Sequence, residues 1–132
     1  MEIENELRTR EIIIQPFMNN IVEEGEFSLF YFGGRYSHTI LKTPRKNDFR
    51  VQEEHGGIIT SVIPEPKLRS TADLVHSVIN PVPLYARADF VRTERNTFAL
   101  MELELIEPSL YFRMDPESPG RFAKAFEERM KR

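Results

Sequence analysis

A chain of 132 residues with a formal net charge of −3 and 40% hydrophobic residues is sized for one domain around one core. So small a charge argues against a generic nucleic-acid binder. With no cysteine there is no disulfide framework and no thiolate metal site, and three scattered histidines are a poor basis for structural zinc.

Met1 to Arg10 alternates in charge and reads as a lead-in to a domain spanning 11–132. The β-branched run Ile12-Ile13-Ile14 predicts a strand over Glu11 to Phe17, although Pro16 bars a fully paired central position. Phe17 to Gly25 reads as a loop or a single helical turn. Glu26 to Phe32 is a predicted strand, Gly33-Gly34 a tight turn, and Arg35 to Lys42 the partner strand. Thr43 to Gly57 is polar and long for a connection inside a small domain, and such loops are commonly functional. Ile58 to Val62 predicts a short strand. Leu68, Ala72, Val75 and Val78-Ile79 fall near helical spacing, and Pro81 ends that helix. Leu84 to Arg92 and Thr97 to Leu105 read as alternating strands joined by Thr93-Glu94-Arg95-Asn96. Pro119 opens a C-terminal amphipathic helix with Phe122, Ala123, Phe126 and Met130 on one stripe. The sum is an α+β domain: five or six mostly antiparallel strands, with two or three helices over one face. No apolar run is long enough to cross a membrane, and the N-terminus lacks a signal-peptide core. A cytoplasmic protein without membrane or nucleic-acid partners is expected.

The last hairpin concentrates charge. Arg87 and Asp89 are two apart on one strand, and Glu102 and Glu104 two apart on the other, so each pair shares a face. Pairing Arg92 with Thr97 would set Arg87 opposite Glu102 and Tyr85 opposite Glu104, with all four charges on one surface. Three carboxylates and a guanidinium among Phe, Leu and Ala are costly to bury unless an ion binds there.

In this order, the elements resemble the C-terminal half of an ATP-grasp domain, as in glutathione synthetases, D-alanine–D-alanine ligases and ribosomal-protein glutamate ligases. Ile14-Gln15-Pro16-Phe17-Met18 resembles the hinge strand that meets adenine. Gly25-Glu26-Phe27-Ser28-Leu29 resembles the next strand, whose acid meets the ribose. Asp48-Phe49-Arg50-Val51-Gln52, with His55-Gly56-Gly57, is similar to the loop that closes over the phosphates. Ala86-Arg87-Ala88-Asp89 and Leu100-Met101-Glu102-Leu103-Glu104 resemble the paired metal-binding strands. The resemblance runs over 12–112.

It implies ATP with one or two Mg²⁺, a role Mn²⁺ could share. Asp89 would hold one ion, Glu102 would bridge two, and Glu104 would hold the second, where many family members carry Asn. Arg87 and Arg50 would meet the transferring phosphoryl group, Arg50 from the mobile loop, and Lys42 would lie near the phosphates. Gln15, Phe17 and Met18 would surround adenine, and Glu26 would accept from the ribose. The chemistry agrees with these roles. Mg²⁺ takes one or two carboxylates together with phosphate oxygens, and guanidinium groups stabilise charge that builds in the transition state.

Each residue also has a plainer reading. Phe17 and Met18 could be core, Lys42 and Arg50 solvated charges, and Arg87 with its acids a cross-strand salt bridge. His38 and His76 read as structural or surface residues. Two other classes fit the same carboxylates: a two-metal phosphoesterase or nuclease, and a non-catalytic interaction domain. The lysines and glycine-rich loop of the other ATP-grasp half have no counterpart here, nor is there a GxxxxGK[ST] loop. The expectation is therefore a piece of a carboxylate–amine ligase that works through an acyl-phosphate, needing a missing N-terminal half or a partner chain. Its carboxylate and amine substrates would sit elsewhere, and exposed apolar surface could drive a homodimer.

Overall fold

The computed structural model describes residues 9, 11–12, 14–45, 48–51 and 53–131. Five strands form one antiparallel sheet: β1 (Glu26–Phe32), β2 (Arg35–Thr43), β3 (Ile58–Ser61), β4 (Tyr85–Arg92) and β5 (Phe98–Glu104), in the order β3-β2-β1-β4-β5. Helices accompany it, among them the single turn α1 (Asn20–Glu23), α2 (Pro66–Ser77) and α3 (Ser118–Met130).

The sheet grows from the β1–β2 hairpin. Gly33 and Gly34 have φ of 54° and 84°, the doubly left-handed turn whose twist matches antiparallel strands. Along β1, Phe27, Leu29 and Tyr31 point to one face and Glu26, Ser28, Phe30 and Phe32 to the other. Nearly all of the strand is buried, as its central place requires. The first face packs on α2, where Leu68 and Ala72 meet Phe27, Leu29, Tyr31, Ala86, Ala88 and Phe90. Pro66 sits in the first turn of α2, where its missing N–H costs nothing.

The second face is divided along its length. At the hairpin-turn end, His38 stacks on Phe30 with ring centroids 4.3 Å apart, and Phe32 meets Phe112 and Phe122. The C-terminal segment thus closes this end. The other end carries the charges.

Three sequence expectations change. First, among the described residues of 11–18 there is no strand. A β-branched run needs a pleated, half-buried neighbour, yet Ile14 is 83% exposed and β1 already has a strand on each side. The expected lead-in over 1–10 lies outside the described residues apart from Thr9, as do Ile13 and Gln52.

Second, the β4–β5 register differs. Arg92 pairs with Phe98, Asp89 with Glu102 and Arg87 with Glu104. The turn shifts the pairing by one residue, and a β-bulge at Met101, which has no ladder partner, shifts it by one more. Strict alternation would put Phe98, Leu100, Glu102 and Glu104 on one face. The bulge separates them, so the two apolar residues face the core side and the two acids face Arg87 and Asp89.

Third, α3 buries only part of the expected stripe: Phe122 packs against Phe32 and Phe112. Ser118 and Ala125 are buried, while Ala123, Phe126 and Met130 are exposed. The helix seats its small Ala125 against Gly33, where an added Cβ would come within 3.2 Å of the Ala125 Cβ. With Ala125 seated there, Phe126 and Met130 face outward.

The buried histidines couple the fold to pH. Burial holds the His38 imidazole below its usual 6.5, against the opposing pull of Asp115 and of the Leu110 carbonyl. Burial lowers His76 in the same way, against Asp73. Below about pH 6.5 the unfolded chain binds more protons, so this stability is intact above that value and is lost as pH falls through the depressed native values. Thermal melts from about pH 7.5 to about pH 5 should show a falling Tm, and His38→Phe should show a smaller fall.

Candidate functional site

Four strands place one row of charge on the open end of the second face. Lys42 on β2 lies opposite Glu26 on β1. Asp89 on β4 lies between Ser28 of β1 and Glu102 of β5, and Arg87 lies between Phe30 and Glu104. The Lys42 ammonium donates to Glu26 Oε1 at 2.8 Å and to Asp89 Oδ2 at 3.2 Å. Arg87 Nε donates to both Asp89 oxygens at 3.1 Å. Its Nη2 reaches Asp89 at 2.9 Å and Glu102 Oε2 at 3.2 Å, and Nη1 reaches Glu104 Oε2 at 2.7 Å. Six of the residues singled out in the sequence thus form one network.

Burial is graded along it. Asp89 is 1% exposed, while the Glu102 side chain is 56% exposed. A carboxylate as enclosed as Asp89 stays in the interior only with paired charge and aligned donors, and Lys42 and Arg87 supply both. Four carboxylates against two cations leave the cluster with a formal charge of −2. Burial raises the Glu26 carboxyl above its usual value, and Asp89 adds to the rise while Lys42 opposes it. For Arg87, burial pulls the guanidinium down, but Asp89, Glu104 and Glu102 outweigh it and hold it above its usual value.

Among the described residues, no three His, Asp or Glu side chains converge to cage a cation by themselves. Arg87 contacts all three of the carboxylates expected to do so. The donor set nevertheless suits a hard ion, being all oxygen with surplus negative charge. Glu104 Oε2 is close to the Arg87 guanidinium, yet it accepts no aligned hydrogen bond.

The remaining expected site residues lie apart. Phe17 and Met18 line a groove of about 370 Å³ with Pro16, Arg92 and Thr97, which no member of the charged network enters. The Phe17 ring meets Phe49 edge-on at 6.0 Å, so segment 14–18 touches the loop. Gln15 is exposed. Arg50 is folded back on its own loop, with Nε and Nη2 forked onto Asp48 at 3.0 and 2.8 Å. That fork and the backbone donors of Arg50 and Phe49 hold the Asp48 carboxyl well below its usual range.

Two features escaped the sequence reading. Ser28 has a fully buried hydroxyl with no hydrogen-bond partner, directly beside Asp89 in the register. Its position two residues after Glu26 was the available signal. Arg92 gathers several ion pairs at the end of β4, and no local pattern announces it.

The network should dominate stability in proportion to burial. Arg87→Met strips Asp89 of its main partner and should cost about 3 kcal/mol in urea unfolding. Glu102→Gln, at the solvent end, should cost less than about 1 kcal/mol.

No protein-family model matches the chain. The cycloserine biosynthesis protein DcsG of Streptomyces lavendulae is 28% identical over 134 residues, a match covering 91% of this chain and 42% of the relative. The crystal structure of D-cycloserine synthetase DcsG superposes with a TM-score of 0.67 at 25% identity, over 87% of this chain and 41% of that one. A D-alanine–D-alanine ligase from Bacillus anthracis, complexed with ATP, gives 0.53 at 15% identity, over 77% and 35%. The ATP-grasp ligase PsnB, complexed with a phosphomimetic variant of a minimal precursor, Mg and ADP, gives 0.50 at 13% identity, over 76% and 33%. The chain spans less than half the length of each relative it matches. The fold of this chain is that of the ATP-grasp ligases.

Proposed function

We propose that residues 11–132 are the nucleotide- and metal-binding C-terminal subdomain of an ATP-dependent carboxylate–amine ligase that works through an acyl-phosphate. The observation that carries this reading is the graded network with its charge of −2 on an open sheet face. A structural ion-pair cluster would balance its charges. This one is left short of positive charge at its solvent-facing end.

Asp89, Glu102 and Glu104 would hold one or two Mg²⁺, with Mn²⁺ as a substitute, and the ions would supply charge neutralisation for the phosphates. Arg87, relieved of its outer acids, would turn its Nη groups to the transferring phosphoryl group. Lys42 would stay paired with Asp89 and add positive charge beside the phosphates. Glu26 would accept from the ribose hydroxyls. The main chain at Phe17 and Met18 would meet the adenine edge, beside Gln15. Arg50 would exchange Asp48 for a phosphate oxygen as its loop closes and excludes water.

In the reaction of the whole enzyme, a substrate carboxylate oxygen bonds to the γ-phosphorus and ADP departs. The amine then bonds to the acyl carbon, phosphate leaves, and the amine gives up a proton. The remaining phosphate contacts would come from a second ATP-grasp half, in a longer chain or a partner chain. The lengths of the relatives support that. Among the described residues no helix is long and apolar enough to cross a membrane, and a cytoplasmic setting would give access to ATP.

Titration calorimetry with a non-hydrolysable ATP analogue is the test. Weak binding that requires Mg²⁺ is expected, together with loss of that Mg²⁺-dependent binding in Glu102→Ala, whose exposed position spares the fold. Cleavage of a model phosphodiester with no preference for adenine nucleotides would replace this reading with a two-metal phosphoesterase.

A further inference from the structure

Arg92 ends β4 on the face opposite the charged network and touches none of it. Its Nε donates to Glu24 Oε1 and Oε2 at 3.1 and 2.9 Å. Its Nη2 donates to Glu65 Oε2 at 2.9 Å, and Nη1 to Glu65 Oε1 at 3.2 Å and to Asn96 Oδ1 at 2.7 Å. The guanidinium lies over the Phe98 ring at 4.6 Å. The Arg92 carbonyl accepts from Asn20 Nδ2 at 2.7 Å. One residue therefore grips both ends of the turn α1, at Asn20 and at Glu24.

What that turn carries gives the grip its meaning. The segment 15–18 joins no strand ladder, so it is set against the sheet through α1, which follows it directly. On the other side of α1, Gly25 has φ 114°, and a Cβ there would fall 2.5 Å from the Lys42 carbonyl oxygen. The chain is thus pinned where it enters β1 and gripped one turn earlier. Arg92 also lines the groove formed by Phe17 and Met18. Its bidentate contacts have the planar geometry that a lysine at this position cannot reproduce.

We infer that Arg92 is a positioning residue: it holds segment 15–18 in place through Asn20 and Glu24, and so sets affinity for the adenine base independently of the triphosphate. This rests on the nucleotide reading above and adds to it the element that governs base recognition. A shift of about an ångström in a positioning element is enough to weaken a site strongly.

The test compares two probes, a non-hydrolysable ATP analogue and inorganic tripolyphosphate, each with Mg²⁺. Both are titrated into the wild type, Arg92→Lys, Glu24→Gln and Glu65→Gln. Arg92→Lys and Glu24→Gln should weaken the ATP analogue about tenfold and leave tripolyphosphate unchanged. Glu65→Gln keeps the contact to Glu24 and should change neither. Glu24→Gln is a partly exposed, isosteric change, so it reports even if Arg92→Lys fails to fold. Equal losses for both probes, no loss for either, or a Glu65→Gln effect as large as that of Glu24→Gln would each overturn the role of Arg92 while leaving the nucleotide site standing. A wild type that binds neither probe overturns the nucleotide reading, and the proposal with it.

Discussion

Everything on the open face depends on how a buried carboxylate is paired. Asp89 sits at the centre of the sheet, sealed from water, where an ionised group is tolerated only with paired cations and aligned donors. Lys42 reaches it from two strands away and Arg87 from its own strand. This arrangement needs β2, β1 and β4 side by side, in this register. A fold that moved any one of them would strand a charge, so the ion pairs select the strand order even where they add little net stability.

The sheet resolves two competing demands by separating them in space. One face is mainly apolar and takes α2. The other is aromatic at the turn end, under the C-terminal segment, and ionic at the far end. Aromatic packing of Phe30 and Phe32 therefore gives a rigid floor beside the charges. Rigid supporting elements are what a binding site needs, because loosely held groups lose both affinity and orientation. In the loop beside it, Phe49 and Arg50 are exposed, and Arg50 is tied to Asp48 of the same loop.

How much of this could be read from the chain follows from how local each determinant is. The hairpin over Glu26 to Lys42 was legible because Gly33-Gly34 dictates its own turn, and the strand bounds follow from it. The shared face of Arg87 and Asp89 was legible because period two holds within an unbroken strand. The pairing of Arg87 with Glu104 was not, because the bulge at Met101 reflects packing across the sheet rather than any residue preference. Ile12 and Ile14 read as strand because propensity is blind to whether a partner strand exists. Phe126 and Met130 read as core because helical spacing cannot say which neighbour a helix meets, and here that neighbour is a glycine turn. The triple partnership of Arg92 joins residues 24, 65 and 96, far apart along the chain. The likeness to ATP-grasp ligases was legible because four short motifs appear in order, a signal stronger than any of them alone.

The bulge has one more effect. β5 is an edge strand, and an edge offers its unpaired backbone groups to any other strand that meets it. Leu100 is 43% exposed there, and a flat edge of that kind would invite self-association. Met101 breaks the regular spacing of those groups in mid-strand, and Glu102 and Glu104 follow it with like charges that would repel an identical copy. The irregularity that turns the acids toward Arg87 therefore also makes this edge a poor template for a second strand.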